Sequence, residues 1–252
     1  MGYVGGKNKT KNTKSYKPKA KKTKKSYKKR YSPDNATKDL LIKGPMKSIS
    51  QFNPFPRRWV CKMRYSDTLT LTTGSGGVFG TSVNFALNDI YDPYTAFGGH
   101  SAYGFDQMKT LYSRFIVRGC LVEITFSDPS VDGLVAGCLV QSHSGVGSIS
   151  GISVDYIKEQ PYSWTKCINN TGSQIVKFKQ YFPVHSIEGL SKVQYETNLA
   201  SYSGTGSSAP SYVPFIQLGA ASDRAASGET LISRVMLTYY AEWYMPILQA
   251  HS

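Results

Sequence analysis

Positive charge is concentrated at the amino-terminal end of this 252-residue chain. Of the net charge of +14, residues 1–30 contribute 13 and contain no Asp or Glu. Residues 31–252 hold 17 basic and 16 acidic groups, a net charge of only +1. The basic residues of the first segment are Lys7, Lys9, Lys11, Lys14, Lys17, Lys19, Lys21, Lys22, Lys24, Lys25, Lys28, Lys29 and Arg30. The sequence therefore divides into a cationic arm and a nearly neutral remainder.

The arm holds too few apolar side chains to fold by itself. Apart from its tyrosines, only four apolar side chains precede Leu40. Ordering a residue costs about 1–2 kcal/mol of conformational entropy, which so little burial cannot offset. We expect residues 1–40 to be disordered until they meet a polyanion, residues 41–56 to form an extended, proline-containing lead-in, and residues 57–252 to form the folded domain.

Beyond the lead-in, apolar and polar residues alternate in the manner of half-buried β-strands. The first such run places Trp59, Cys61, Met63 and Tyr65 on one face and Val60, Lys62, Arg64 and Ser66 on the other, and it continues to Leu71. Further strand-like runs are Val83–Leu87, Phe115–Ser127, Leu134–Gln141, Ser163–Ile168, Gln174–Phe182, Tyr212–Ala220 and Leu231–Tyr244. Helical spacing is confined to Phe105–Tyr112 and Ile152–Lys158.

This pattern predicts an all-β domain. Eight or nine strands separated by Gly, Ser and Pro turns, without alternating helices or a repeat, indicate an antiparallel sandwich or barrel. Long first and last strands with large inserted loops favour a single eight-stranded antiparallel jelly roll among these architectures.

No pattern in the chain predicts catalysis. The four histidines, His100, His143, His185 and His251, fall in no nucleophile or metal motif, and the glycine-rich segment 74–77 lacks the ending of a phosphate-binding loop. We therefore expect no enzymatic activity and no cofactor.

The four cysteines also lack metal-site spacing. Cys61, Cys120, Cys138 and Cys167 each lie within a strand-like run, which favours buried free thiols over a zinc site. The amino terminus has no apolar signal segment, and no stretch approaches the ~18 apolar residues of a membrane span. We expect a cytosolic or nuclear protein that is neither secreted nor inserted in a membrane.

One block of the sequence is specific enough to resemble a family. Segments 85–100, 104–112 and 115–120 combine an Asn-x-x-x-Asp-Pro turn, a Gly-Gly pair and a Gly-x-Asp-Gln helix that precedes a strand. The block resembles the capsid proteins of small circular, Rep-encoding single-stranded DNA viruses. The positions that carry the resemblance are Asn88, Asp92, Pro93, Gly98, Gly99, Gly104, Asp106, Gln107, Leu111 and Tyr112. The arm and the Phe-Pro-x-Arg entry at residues 55–58 are also similar.

The resemblance implies a jelly roll that assembles with copies of itself into an icosahedral shell, with the basic arm inside. It implies about 60 copies in a T=1 particle, a packaged circular single-stranded DNA genome, and residence in the virion and the host nucleus. A nuclear import receptor and a host-cell receptor are further expected partners. The matching turn residues Asn88, Asp92, Pro93, Gly98, Gly99, Asp106 and Tyr112 would then shape turns or subunit contacts.

The block also has a physical interpretation that needs no family. Asp92 and Pro93 favour a turn, Gly98 and Gly99 permit positive φ or a close approach, and Asp106 suits the first turn of a short helix. A calcium site that uses Asp89, Asp92 and Asp106 is the alternative, and we favour turn and cap chemistry over it.

The composition of the arm suits sequence-independent binding to nucleic acid. Each Lys or Arg that neutralises a phosphate releases a condensed counterion, so the affinity is high at low salt and insensitive to base sequence. Tyr16, Tyr27 and Tyr31 would allow unpaired bases to stack on them, and a role as spacers is the alternative that we favour. The run from Lys17 to Arg30 also fits a nuclear localisation signal.

A second basic cluster is predicted where the folded domain begins. Arg57, Arg58, Lys62 and Arg64 would extend the nucleic-acid-binding surface if the arm points inward, and a solvated strand face is the alternative. For the whole chain, the alternatives to a shell-forming coat protein are a cellular nucleic-acid-packaging protein with a basic tail and a jelly-roll domain that binds carbohydrate or acts as an enzyme.

Overall fold

The computed structural model describes residues 55–96, 99–128, 133–142, 147–168, 175–222 and 228–247. Nine β-strands and five short helices make up this part of the chain. The strands are β1 (Arg58–Gly74), β2 (Val83–Ala86), β3 (Tyr112–Ser127), β4 (Leu134–Gln141), β5 (Ser163–Ile168), β6 (Ile175–Pro183), β7 (Ser203–Thr205), β8 (Phe215–Ser222) and β9 (Thr230–Pro246). The helices are α1 (Phe105–Lys109), α2 (Val154–Lys158), α3 (Val184–Ile187), α4 (Lys192–Thr197) and α5 (Leu199–Tyr202).

The strands follow one path, β5-β4-β8-β1-β9-β3-β6, with β2 beside β8 and β7 beside β3. Its two halves are β1-β9-β3-β6 and β2-β8-β4-β5, and all pairings within each half are antiparallel. A short parallel pairing at the end of β1, where Thr73 meets Ala220, joins the halves. The prediction of an all-β domain with eight or nine strands is therefore confirmed for the described residues.

One hydrophobic core lies between the two halves. Met63 and Tyr65 of β1 share it with Leu237 and Trp243 of β9 and with Leu218 of β8. Alternate residues on β1, such as Lys62 and Arg64, are exposed, as the period of two requires when one face of a strand is buried. The predicted faces of the first strand are confirmed from Met63 onward, but Trp59 at the end of the strand remains 47% exposed.

A second, smaller core covers the outer face of the other half. It consists of Val135 and Leu139 of β4 and Ala221 of β8, packed under Phe79, Ile149, Val154 and Ile157. The segment around Phe79 is tied down by backbone hydrogen bonds, since Phe79 N donates to Ile152 O at 2.9 Å and Gly80 N donates to Ala220 O at 3.0 Å. We call this buried outer surface the covered face.

Several predicted boundaries were wrong. The first helix ends at Lys109 and not at Tyr112, which instead starts β3 and donates its hydroxyl to Pro56 O at 2.9 Å. The second helix starts two residues late, at Val154, because the Ser153 side chain caps it by accepting from Tyr156 N. Strand β8 starts at Phe215 and not at Tyr212, whose backbone N–H donates to Ser201 O at 3.0 Å.

The Ser- and Gly-containing segment from Gly189 to Pro210 is ordered and is not a simple loop. It contains α4, α5 and β7, and Ser191 and Gln194 form a capping box at the start of α4. Tyr195 and Tyr202 are buried, and the Tyr195 hydroxyl donates to Val117 O of β3 at 2.7 Å. Buried aromatic side chains therefore dock this segment onto the β1-β9-β3-β6 half.

The cysteine prediction holds for two of the four thiols. Cys120 and Cys138 are buried, Cys61 is half-buried and Cys167 is exposed. Cys167 pairs with Val135 across β4 and β5, and β5 is the edge strand of the sheet that the described residues form. Burial in the core raises the pKa of the Cys138 thiol to about 12, so this side chain stays protonated.

Candidate nucleic-acid interface

The cations predicted at the start of the domain do not form one cluster. Lys62 and Arg64 are exposed on the outer face of β1, whereas Arg58 is engaged in an ion pair with Glu242 of β9, at 2.8 Å. Arg57 is exposed and precedes the strand. The strand places Arg58, Lys62 and Arg64 on the same face, and Lys62 and Arg64 are the two whose charge is not used in the pair with Glu242.

Arg58 belongs to an ion network that holds three elements together. Strand β3 has an irregularity between Val117 and Gly119, and Arg118 donates from there to Glu242 Oε2, at 3.1 Å through Nε and 2.7 Å through Nη2. The Nη1 atom of Arg118 also lies 2.9 Å from Glu196 Oε1 of α4. Because Glu242 is buried, these cations compensate its charge and are committed to structure.

The antiparallel register extends the surface of Lys62 and Arg64 across the whole sheet. Residues directly opposite each other share a face, so the pairs Lys62–Tyr240 and Thr68–Arg234 place Tyr240 and Arg234 on this outer surface. The pairings of β3 with β9 and β6 then add residues of β6. We call this outer surface of the β1-β9-β3-β6 half the open face. Its exposed or half-buried basic and aromatic members outside the ion network of Glu242 are Lys62, Arg64, Lys177, Lys179, Tyr181, Arg234 and Tyr240.

The open face is basic, although residues 31–252 are nearly neutral. Lys179 is paired with Glu123 at 2.6 Å, and Glu123 is half-buried. Within the described part of the chain, Lys62, Arg64, Lys177 and Arg234 form no ion pair. Four uncompensated cations on one sheet produce a positive potential that attracts polyanions.

Two tyrosines lie among these cations. The ring centroids of Tyr181 and Tyr240 are 5.5 Å apart with the planes at 89°, and Lys62 Nζ is 5.1 Å from the Tyr240 centroid. Burial against the sheet raises the pKa of Tyr181, so its phenol is neutral at physiological pH. The arrangement offers flat apolar rings next to free cations.

Sequence reasoning missed the part of this surface that β6 and β9 contribute. Lys177, Lys179 and Tyr181 recur at every second position of β6, and all three are exposed. That spacing predicts one strand face carrying two cations and a ring. Arg234 and Tyr240 could be assigned to the same surface only from the register between strands, which the sequence does not contain.

The turn residues of the resembling block make contacts within the chain. Asn88 is fully buried and its Nδ2 donates to Tyr212 O at 2.8 Å, while Pro93 O accepts from Ala86 N at 2.8 Å. Asp106 lies in the first turn of α1 and pairs with Lys109 at 2.6 Å. These residues shape the segment between β2 and β3.

In the turn that precedes Pro93, the Asp89 carboxylate accepts a hydrogen bond from the backbone. Asp89 Oδ1 accepts from Tyr91 N at 2.9 Å, whereas Asp92 is exposed beside Gly99. Burial raises the pKa of Asp89 to about 6, despite the hydrogen bonds from the backbone of Tyr91 and Asp92. In the ranges that the structure describes, no group of three His, Cys, Asp or Glu side chains is placed to hold a metal ion.

The thirteen arm cations, Gly98, His143 and His251 lie outside the described residues. Residues Tyr16, Tyr27 and Tyr31 and the predicted localisation signal lie outside them as well. Among the helices of the described ranges, none is long and apolar enough to cross a membrane.

No protein-family model and no curated protein matches this sequence. Solved structures of viral proteins are similar in part. They include Macrobrachium rosenbergii nodavirus semi-empty VLP (10% identity, 79% of this chain and 100% of that chain, TM-score 0.41). The decameric BFDV capsid protein is 9% identical over 75% of this chain and 100% of its own, with a TM-score of 0.41. Mud crab tombus-like virus is 12% identical over 82% of this chain and 100% of that chain, with a TM-score of 0.40. Because similarity at this level does not establish a shared function, we infer function from the residues of this chain.

Proposed function

We propose that this protein is the coat protein of a small virus with a circular single-stranded DNA genome. In this proposal the folded domain assembles with copies of itself into a T=1 icosahedral shell of about 60 subunits. The arm, residues 1–40, lies inside and holds the genome through its phosphates. The protein would be found in the virion and, during assembly, in the host nucleus, and it would have no enzymatic activity.

The observation that carries the proposal is the separation of charge along the chain. Thirteen of 14 net positive charges precede residue 31, and the remaining 222 residues have a net charge of +1. A polycation without acidic residues binds phosphates without base preference. A nearly neutral domain can approach copies of itself without strong mutual repulsion.

The strand order supports a jelly roll. With the short β7 set aside, the eight remaining strands form the sets β1-β9-β3-β6 and β2-β8-β4-β5. Each set combines strands from the beginning and the end of the domain, as expected when a long hairpin of antiparallel strands is wound into two Greek keys. The resemblance of segments 85–100, 104–112 and 115–120 to the capsid proteins of circular single-stranded DNA viruses adds to this support.

The arm charge is on the scale that genome packaging requires. Sixty arms of 13 charges bring about 780 positive charges, enough to neutralise on the order of a kilobase of single strand. The open face would add cations, and we expect it to point toward the genome.

The test is to express the full chain and a variant in which all thirteen arm cations are changed to glutamine. Negative-stain microscopy reports particles, and nuclease-protected DNA per particle reports packaging. We expect uniform hollow particles from both chains and a collapse of protected DNA in the variant, because the phosphates lose their counterions.

A control on the folded domain changes four lysines that are distant in sequence from the arm, Lys109, Lys158, Lys166 and Lys192, to glutamine and should leave protected DNA unchanged. Particles of the arm variant that retain the parent's DNA content would contradict the role of the arm. A parent chain that forms only small species, with or without added oligonucleotide, would contradict the shell.

A further inference from the structure

The open face combines cations and rings in a regular grid. Four antiparallel strands bring Lys62, Tyr240 and Gly119 into one row across the sheet, and the next row contains Arg64, Thr238, Leu121 and Tyr181. Two rows further on, Arg234 and Lys177 flank Thr125. Because neighbouring strands lie about 4.8 Å apart, these groups are spread over a surface several nucleotides long.

Gly119 is the position that allows Tyr181 to lie across the sheet. A Cβ atom at Gly119 would stand 2.2 Å from the Tyr181 hydroxyl oxygen and 2.6 Å from its Cζ, so only glycine leaves room for this ring. The ring is held from below by the backbone of β3 and from the side by Tyr240, yet Tyr181 remains 44% exposed. A fixed and partly exposed aromatic ring is a stacking platform that needs little further ordering.

The chemistry of this grid fits one class of ligand. Phosphates require free cations, which Lys62, Arg64, Lys177 and Arg234 provide, and unpaired bases require aromatic faces, which Tyr181 and Tyr240 provide. A duplex hides its base faces inside the stack, so it could use the cations but not the rings. The face also carries apolar side chains, among them Leu121, Met236 and Ile175. The free cations beside exposed rings are what favour a single-stranded polyanion over a protein partner.

We propose that the open face is a second nucleic-acid site, separate from the arm, that binds single-stranded nucleic acid by stacking bases on Tyr181 and Tyr240. Lys62, Arg64, Lys177 and Arg234 hold the flanking phosphates. This inference rests on the proposed function, because it assigns the genome a binding surface on the folded domain. The site reads neither base sequence nor the sugar, so DNA and RNA strands bind alike.

The test is photo-crosslinking of the full chain. The protein is assembled with single strands of roughly 20 nucleotides, longer than the ~4–16 nucleotides that one binding surface covers, made of 5-iodo-deoxyuridine or 5-iodo-uridine. Mass spectrometry of the digested complex identifies the modified residues. We expect cross-links at Tyr181 or Tyr240, and none at Tyr156 and Tyr162, which are exposed tyrosines outside the open face.

A matched pair of variants separates stacking from folding. Tyr181→Phe retains the ring and should keep the parent's affinity for the single strand, whereas Tyr181→Leu should weaken it about fivefold or more. Neither variant should change the affinity for a duplex of the same length. If Tyr181→Leu lowers the melting temperature, Lys62→Gln with Arg64→Gln on the exposed strand surface provides a second test, with weaker binding to both forms.

The outcomes distinguish the two proposals. Cross-links confined to arm peptides that contain Tyr16, Tyr27 or Tyr31 would overturn the site on the open face and leave the proposed function intact. Equal single-strand affinity of Tyr181→Phe and Tyr181→Leu would also overturn it. A full chain that binds no oligonucleotide at low salt would overturn the proposed function and this inference together.

Discussion

The two outer surfaces of the β-sandwich differ in what lies on them. The covered face of β4 and β8 is apolar and lies under Phe79, Ile149, Val154 and Ile157 of the same chain. The open face of β1, β9, β3 and β6 carries free cations, and its cations are exposed among the residues that the structure describes. The outer surface of β4 and β8 is therefore used for stability, whereas the basic outer surface of the other half is available for a ligand.

Both faces use glycine to seat an aromatic ring, with opposite results. On the covered face, a Cβ at Gly137 would stand 2.4 Å from the ring of Phe79, which is 1% exposed. On the open face, Gly119 seats Tyr181, which is 44% exposed. A glycine beneath an aromatic ring therefore occurs on both faces. The surroundings of the ring determine whether it is buried, as Phe79 is, or exposed, as Tyr181 is.

The largest expected effect on stability comes from removing an aromatic ring from the covered face. Phe79→Ala should lower the free energy of unfolding by about 3–5 kcal/mol, because it removes a fully buried ring and leaves a cavity over Gly137. Tyr181→Ala, the matched change on the open face, should cost about 1 kcal/mol. Chemical denaturation of both variants measures the two values, and equal losses would contradict the difference between the faces.

The next effect concerns the buried carboxyl of Asp89, in the loop that follows β2. Burial raises the pKa of Asp89 to about 6 in the folded chain, so folding favours the protonated form. Its contribution to stability is complete below about pH 4 and is lost as the pH rises through about 6. Asp89→Asn should therefore stabilise the domain by about 2–3 kcal/mol at neutral pH and by almost nothing near pH 4.

Thermal unfolding across this pH range checks the prediction for Asp89. Asp155→Asn, an exposed change on α2, controls for the lost charge. An Asp89→Asn variant whose advantage is the same at every pH would show that the carboxyl does not titrate between the folded and unfolded states as described.

The smallest expected effect on stability comes from the open face. Changing Lys62, Arg64, Lys177 and Arg234 to glutamine should alter the free energy of unfolding by no more than about 0.5 kcal/mol per site, since all four are exposed and form no ion pair with any described residue. The same variant should reduce the slope of log affinity for single strands against log salt by about 3, at ~0.7 per lost phosphate contact. The matched control, with Lys109, Lys158, Lys166 and Lys192 changed instead, should keep the parent's slope.

Much of the difference between the covered face and the open face could be predicted from the sequence. The alternation in β1 predicts one buried and one polar face, and the unbroken apolar run of β4, Leu134–Val140, fits a strand that is covered on both sides. The all-β class and most strand positions were predicted correctly for this reason. Local patterns report which side of a strand is buried, and they do so well when the strand is long.

The rest depended on contacts between distant parts of the chain. Of the cations predicted to cluster at residues 57–64, Arg58 is instead paired with Glu242, 184 positions away. Arg234 and Lys177, which were not predicted, join the same surface through the register of β9 and β6. Burial of Tyr195 and exposure of Cys167 were missed for the same reason, because docking on β3 and a place on the edge strand are properties of the sheet. Spacing along the sequence cannot supply the pairing of strands.

The most direct measurement of the difference between the faces is acetylation footprinting of lysines, by mass spectrometry, in particles assembled with and without single-stranded oligonucleotide. Lys62 and Lys177 lie on the open face, and Lys158 and Lys166 lie on α2 and β5 of the other half. We predict that the oligonucleotide lowers the reactivity of Lys62 and Lys177 and leaves Lys158 and Lys166 unchanged. Protection of Lys158 and Lys166, or unchanged reactivity at Lys62 and Lys177 while the oligonucleotide is bound, would contradict the account.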